Sequence, residues 1–353
     1  MSLILERRES PSTLVNFLVP VLSILLALLL GALIIKLSGF NPEVAYREML
    51  SGAFGSWYAI SETMVKAIPL MLCALGVGFA FRTVLWNIGA EGQLYMGAWA
   101  AGWVALSFPH GQSWWLIPLM MLAGFLAGAL WGLIPGILKA SLNVSEIITS
   151  LLLNYVAILW VDYFVYGPWK DPKGYGFPFT PFFGEGAWLP TFFGTRVHLG
   201  IIFALVAAVI IYFLLKSTRL GYEIRVIGEN PQAARYAGMN IFRTIIVVFL
   251  VSGGLAGLAG MAEVSGVIHR LQHAISPGYG YTAIIIAWLS RLNPLVTLLV
   301  SILFGGLLVG GFSVRSIGLS ESLVYVIQGI ILFLLLAGDL LTRYRFSWRK
   351  NAG

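Results

Sequence analysis

Residues 114–140 read WWLIPLMMLAGFLAGALWGLIPGILKA, and the first charged side chain in the run is Lys139. A helix needs about 20 apolar residues to cross a hydrocarbon core of about 30 Å, and residues 114–138 supply 25 without one charge. Glycines at 124, 128, 132 and 136 recur every four residues. Such a ridge of missing side chains lets a second helix approach closely in lipid, and Gly253 with Gly257 and Gly306 with Gly310 repeat the spacing. Packing, not chemistry, is the reading of all three sets.

Working outward, apolar runs of similar length predict helices at 17–38, 58–81, 88–107, 114–138, 146–166, 199–215, 243–262, 279–291, 294–312 and 322–338. The composition agrees. Of 353 residues, 59% are hydrophobic and 10% charged, against about 25% charged in soluble domains; mean hydropathy is +0.88. Ten spans use about 200 residues, which leaves only loops and excludes a separate soluble catalytic domain. The expected fold is an all-α polytopic membrane protein of about ten transmembrane helices. Residues 1–16 form the cytoplasmic N-terminus, 17–338 the transmembrane domain, and 339–353 a cytoplasmic tail.

One cysteine, Cys73, excludes an internal disulfide framework and a multi-thiolate metal site. Arg7 and Arg8 precede an apolar run too long for a signal-peptide core, so this run is read as a retained first helix. The formal charge of +7 is spread among apolar segments instead of forming a nucleic-acid footprint. With both termini inside, 14 of the 22 basic residues fall on the inner side, among them Arg7, Arg8, Arg82, Arg225, Arg235, Arg243, Arg291 and Lys350. That asymmetry supports an N-in, C-in topology.

The two halves of the chain are expected to be inverted repeats of five helices each, because an odd number of spans reverses the orientation of the second unit. NIGAEGQLYMGAWAA opens the third helix from the inner side, and SPGYGYTAIIIAWLS opens the eighth from the outer side. The longest outer loop, 167–198, holds five prolines, six glycines and nine aromatics. It reads either as an interfacial cap or as a docking surface for an external partner.

Polar residues inside an apolar chain are the candidates for function. Asn87-Ile88-Gly89-Ala90-Glu91-Gly92-Gln93 is either a helix start at the inner membrane surface or a polar lining of the inner mouth of a pathway formed by Asn87, Glu91 and Gln93. Asn154 and Gln328, near mid-span, either line the pathway or bond between helices. Glu62 and Lys66, four apart, are expected to neutralise each other along one helix. His269 and His273 share a metal-compatible spacing but lack a third ligand in sequence, so an outer-mouth or loop role is expected.

The inner loop, 216–243, is the most charged stretch. Asn230 suits a helix N-cap, Pro231 the first helical position, and Gly238 a C-terminal stop. A two-turn helix of this kind is too short to stand alone in water. It reads as a docking element for a cytoplasmic protein, with Arg235, Tyr236 and Met239 as its contact side chains, or otherwise as an amphipathic connector.

GYEIRVIGENPQAARYAGM, at residues 221–239, resembles the cytoplasmic coupling segment of permease subunits of ATP-binding cassette importers. More narrowly it resembles the branch for branched-chain amino acids, simple sugars and nucleosides. FRTVLWNIGAEGQLYMGA, SEIITSLLLNY and ISPGYGYTAIIIAWLSRLNPL are similar to other blocks of that group, and nucleoside permeases are the nearest in phrasing. The resemblance implies a coupling helix at 230–238, with Glu223, Arg225, Glu229, Asn230, Pro231, Arg235 and Gly238 as the ATPase-coupling residues. It implies two cytoplasmic ATPase subunits that use ATP and magnesium, an extracytoplasmic substrate-binding lipoprotein, and a second permease, identical or different. It also implies residence in the cytoplasmic membrane and transport of a nucleoside or simple sugar.

The chain has no GxxxxGK[ST] phosphate loop, and so no cofactor, metal or ATP hydrolysis of its own is expected. The alternative is an ion-coupled secondary transporter, which inverted repeats and midplane polar groups suit equally well. Such a carrier needs no docking helix on its inner side.

Overall fold

The computed structural model describes residues 2–7, 13–320 and 322–349. Arg8 and Lys350 of the topology count lie outside the described residues, as do parts of the expected terminal segments 1–16 and 339–353. The described chain is helical except for loops and one antiparallel ribbon, in which β1 (Ser2–Arg7) pairs with β2 (Tyr344–Arg349). The ribbon is a departure from the expected plain termini.

The helices are α1 (Thr13–Leu37), α2 (Pro42–Phe54), α3 (Trp57–Phe81), α4 (Ala90–Ser107), α5 (Ser113–Leu142), α6 (Glu146–Tyr166) and α7 (Gly200–Ser217). After them come α8 (Arg219–Glu229), α9 (Pro231–Tyr236), α10 (Ile241–Glu263), α11 (Tyr279–Leu289), α12 (Pro294–Ser313) and α13 (Ser322–Arg343). A helix stands at each of the ten expected places. Not all are long and apolar enough to cross a membrane. Among the described residues six meet that measure, α3, α5, α6, α7, α10 extended to Ile268, and α12 extended to Ile317. The α1–α2 pair, bent by 118°, would make a seventh. Three more helices fall short: α4 opens on Glu91 and Gln93, the 11 residues of α11 rise only about 16 Å, and the described apolar part of α13 is the shorter helix Ser322–Gly338.

The chain forms two compact units, one of residues 1–55 with 307–353 and one of residues 56–306. In the first, α1 packs on α13, where the Ser23 hydroxyl donates to Leu334 O at 3.1 Å. Asn41 caps α2 through Glu43 N at 2.9 Å, Pro42 takes the first helical position, and Tyr46 Oη donates to Leu28 O at 2.6 Å. Gly310 approaches α2 so closely that a Cβ there would lie 2.4 Å from Met49 O.

The second unit is built around α3, α4, α5 and α10. The glycine ridge on α5 packs along α10 as its spacing requires. A Cβ on Gly128 would stand 2.3 Å from Gly253 O, and one on Gly257 would stand 2.1 Å from Gly124 O. The outward sides of α6 and α7 expose Leu152, Leu159, Ile210 and Phe213, as lipid-facing helices do.

Candidate functional site

The polar stretch at residues 87–93 opens α4 in the interior of the second unit. Arg82, just past the end of α3, donates from Nε at 3.1 Å and Nη2 at 2.7 Å to Leu292 O, just past the end of α11. The other end of α11 is about 16 Å away. Glu91 meets α11 there, accepting at Oε2 from Gly280 N at 2.7 Å. A Cβ on Gly280 would fall 2.2 Å from Glu91 N, so only glycine permits this approach. Two helix starts thus face each other deep in the protein, and the glutamate side chain occupies the space between their N–H groups.

The remaining polar side chains hold this junction together. Asn87 Nδ2 donates to Gln93 Oε1 at 3.0 Å and Ser252 Oγ at 2.8 Å, and Gly89 N donates to Asn87 Oδ1 at 3.0 Å. Asn154, on α6, accepts from Gly92 N at 2.8 Å and donates to Ile88 O at 2.9 Å and Tyr281 Oη at 3.3 Å. Asn87, Glu91, Gln93 and Asn154 are all buried. The structure brings these four sequence candidates into one network, in which each bonds to backbone or side chain. Gln328, the fifth, is buried on α13 in the other unit.

A second polar array was missed from sequence. Glu62 and Lys66 do not pair with each other; each reaches across to another segment. Glu62 Oε2 meets Arg196 Nη1 at 3.0 Å, and Lys66 Nζ lies 3.7 Å from Glu263 Oε1 and 3.0 Å from Tyr279 Oη. Among the described residues Glu62 Oε1 and Glu263 Oε2 have no hydrogen-bond partner. The signal was available in principle, since an acid such as Glu263 in an apolar span must find a cation or water. Its partner, 197 positions away, was not.

The outer loop 167–198 folds back onto residues 264–276. Thr180 N donates to Leu271 O at 2.9 Å, Phe183 N to His269 O at 2.8 Å, and Leu189 N to Ser265 O at 3.0 Å. The Arg270 guanidinium lies 3.9 Å from the Phe179 ring centre and 4.7 Å from that of Phe182. His269 stacks on Trp188, while His273 Nδ1 lies 2.9 Å from Asp162 Oδ1. His269 turns into the left-handed region at φ 57°, which ends the helix before the two histidines can share a face. Among the described residues no group of three His, Cys, Asp or Glu side chains could hold a metal. Burial, aided by His269 and Arg196, lowers the pKa of His198 to about 4 and keeps its imidazole neutral at neutral pH.

The exposed helix α9 is formed by the residues that foretold it. Asn230 Oδ1 accepts from Gln232 N at 3.0 Å and Ala233 N at 3.1 Å. Pro231 is the first helical residue, Gly238 has φ +71°, and Met239 N closes the end on Ala234 O at 3.0 Å. Only Ala234 of α9 is buried, whereas Arg235 and Tyr236 are exposed. The preceding α8 was not expected as a separate helix. It buries Gly221, Ile224 and Ile227 and exposes its other side. Glu223 is held by Arg219 Nε at 3.0 Å, Arg225 donates to Leu215 O, and Glu229 is exposed.

Membrane-crossing helices, a buried helix-start junction and an exposed capped helix at the basic end together describe a membrane transport subunit. Residues 59–336 match the family described as branched-chain amino acid transport system / permease component, and the chain belongs to that family. It is 39% identical over 353 residues to the glucose ABC transporter permease protein TsgB13 of Haloferax volcanii, with 96% of this chain and 92% of that one covered. It is 38% identical to the guanosine ABC transporter permease protein NupP of Bacillus subtilis, covering 90% and 92%. Similarity to the nucleoside ABC transporter permease protein NupB of Lactococcus lactis is 33%, covering 90% and 89%. The protein is a multi-pass membrane permease subunit of an ABC transporter.

Proposed function

We propose that this chain carries a nucleoside or simple sugar inward across the cytoplasmic membrane, driven by separate ATPase subunits and supplied by an extracytoplasmic binding protein. The likeness to guanosine, nucleoside and glucose permeases over about nine-tenths of the chain carries the substrate class. The exposed, doubly capped α9 supports the coupling role. A short helix seated in a partner's groove transmits a rigid-body push to the spans beside it. Glu229, Arg235 and Tyr236 offer that groove charge and an aromatic ring, while Glu223 and Arg225 fasten α8 to α10 and α7.

In this reading both termini are cytoplasmic, ten helices cross or enter the membrane, and the halves are inverted repeats. The meeting of α4 and α11 start to start supports that symmetry. The path runs past their junction, with Asn87, Glu91, Gln93 and Asn154 setting its wall. The outer cap, which exposes Tyr175, Phe182 and Phe193, receives the binding protein. A second permease, identical or different, completes the path.

The test is uptake of labelled guanosine and of labelled glucose into vesicles holding this chain with its ATPase and binding protein. ATP-dependent uptake of one is expected. Uptake on a proton or sodium gradient without any ATPase would establish the secondary-transporter alternative instead.

A further inference from the structure

Several cations of the second unit pair with a carboxylate of another segment or turn. Lys66 has Glu263, Lys139 has Glu146 at 3.0 Å, and Arg196 has Glu62. Arg82, Lys216 and Arg225 are different. They line one open cavity of about 200 Å³ together with Tyr212 and Asn293. Among the described residues no carboxylate pairs with any of the three. Their contacts are neutral: Leu292 O for Arg82, Leu215 O for Arg225, and Tyr212 Oη at 3.2 Å for Lys216. A guanidinium carries five donors and an ammonium three, so each retains donors for a ligand.

Two further features point to the ligand. The start of α12 opens on the cavity, with Asn293 capping Leu295 N at 3.0 Å, and a helix start adds partial positive charge. Burial first, and then the nearby Arg225, lowers the pKa of Arg82. The cavity also lies where α7 ends and α12 begins, two helices long and apolar enough to cross the membrane. Ile210 and Phe213 on α7 and Leu295 and Leu299 on α12 are exposed apolar side chains of those two helices. A free anion has no use for such surface, whereas acyl chains do.

We propose that this pocket holds the phosphate of an anionic phospholipid of the inner leaflet. Arg82, Arg225 and Lys216 face the phosphate oxygens, where guanidinium groups bind in bidentate fashion. The acyl chains lie along the exposed sides of α7 and α12. The bound lipid supplies the missing counter-charge at the point where α8, which leads into α9, meets the spans.

The full-length chain in detergent is titrated with dioctanoyl phosphatidylglycerol, dioctanoyl phosphatidylcholine and inorganic phosphate, with binding read by native mass spectrometry. Phosphatidylglycerol should bind about tenfold more tightly than phosphatidylcholine, the worth of one charge-assisted hydrogen bond. The preference should weaken with salt. Lys216→Gln, an exposed position, should reduce it, Lys216→Gln with Arg225→Gln should abolish it, and Lys173→Gln on the outer loop should leave it intact.

Equal binding of the two lipids, or an unchanged preference in the double variant, overturns the proposal. Inorganic phosphate that displaces phosphatidylglycerol at equal concentration removes the lipid and leaves only an anion site. If neither lipid is preferred and the double variant instead releases the ATPase from the assembled transporter, the pocket belongs to a carboxylate of that partner.

Discussion

The helix-start junction around Glu91 and the exposed helix α9 are both short polar stretches containing asparagine, glycine and a charged side chain, yet they are held by opposite means. At the junction the partners are remote: Gly280 is 189 positions from Glu91, Ser252 is 165 from Asn87, and Gly92 is 62 from Asn154. In α9 Asn230 bonds to residues two and three positions on. A polar group surrounded by lipid-facing helices has no water to turn to, and must find its partner across the fold. One at an exposed helix start needs only its own turn. The junction should accordingly answer substitution with lost stability, and α9 with lost coupling.

The largest effect is expected at Glu91. Glu91→Ala leaves the Gly280 N–H buried without its acceptor, at a cost of about 2–3 kcal/mol. Glu91→Gln keeps an acceptor oxygen of the same reach and should recover much of the loss. Thermal unfolding of the detergent-solubilised chain measures both. An alanine variant as stable as the parent would break the account of the junction.

Asn154→Leu comes next. It removes one acceptor and two donors from the same network while keeping the volume similar. A loss of about 1–2 kcal/mol is expected. The two sites share the α4 start, so Glu91→Ala with Asn154→Leu should cost less than the sum. Strict additivity would mean that they do not act as one unit.

These two sites also mark how far the sequence could be read. The apolar runs and glycine ridges are periodic, and periodicity survives without knowledge of tertiary partners, so helix positions and the close-packing faces of α5 and α10 were legible, though not that the two meet. The caps of α9 were legible for the same local reason. The partners of Asn87–Gln93 were not, because nothing within those residues tells that Ser252, Asn154 and Gly280 close on them. Glu62 and Lys66 failed similarly. Their spacing suits a helical pair, but such a pair is worth only about 0.5 kcal/mol, and Arg196 and Glu263 gave each a closer tertiary partner.

At α9 the expected order reverses, with small stability changes and large functional ones. Gly238→Val forces a β-branched residue to φ +71°, at about 1–2 kcal/mol. Nothing stands within 4 Å of where its Cβ would be. The strain therefore acts on the backbone that ends α9, and ATP-driven uptake should fall while the chain still inserts and purifies.

Arg235→Glu has the smallest expected effect on stability and is the sharpest test of the contrast. The side chain is exposed and has no hydrogen bond or ion pair among the described residues, so unfolding should shift by no more than about 0.5 kcal/mol. If α9 sits in a groove of the ATPase, reversal of the charge puts like charges together, which costs several kcal/mol at a desolvated contact. Uptake should then drop about tenfold or more, while the ATPase alone keeps its hydrolysis rate. A charge-restoring substitution in the ATPase groove should return transport. Unchanged uptake in a stable Arg235→Glu protein would reduce α9 to a connector, and the difference between the two regions to one of burial alone.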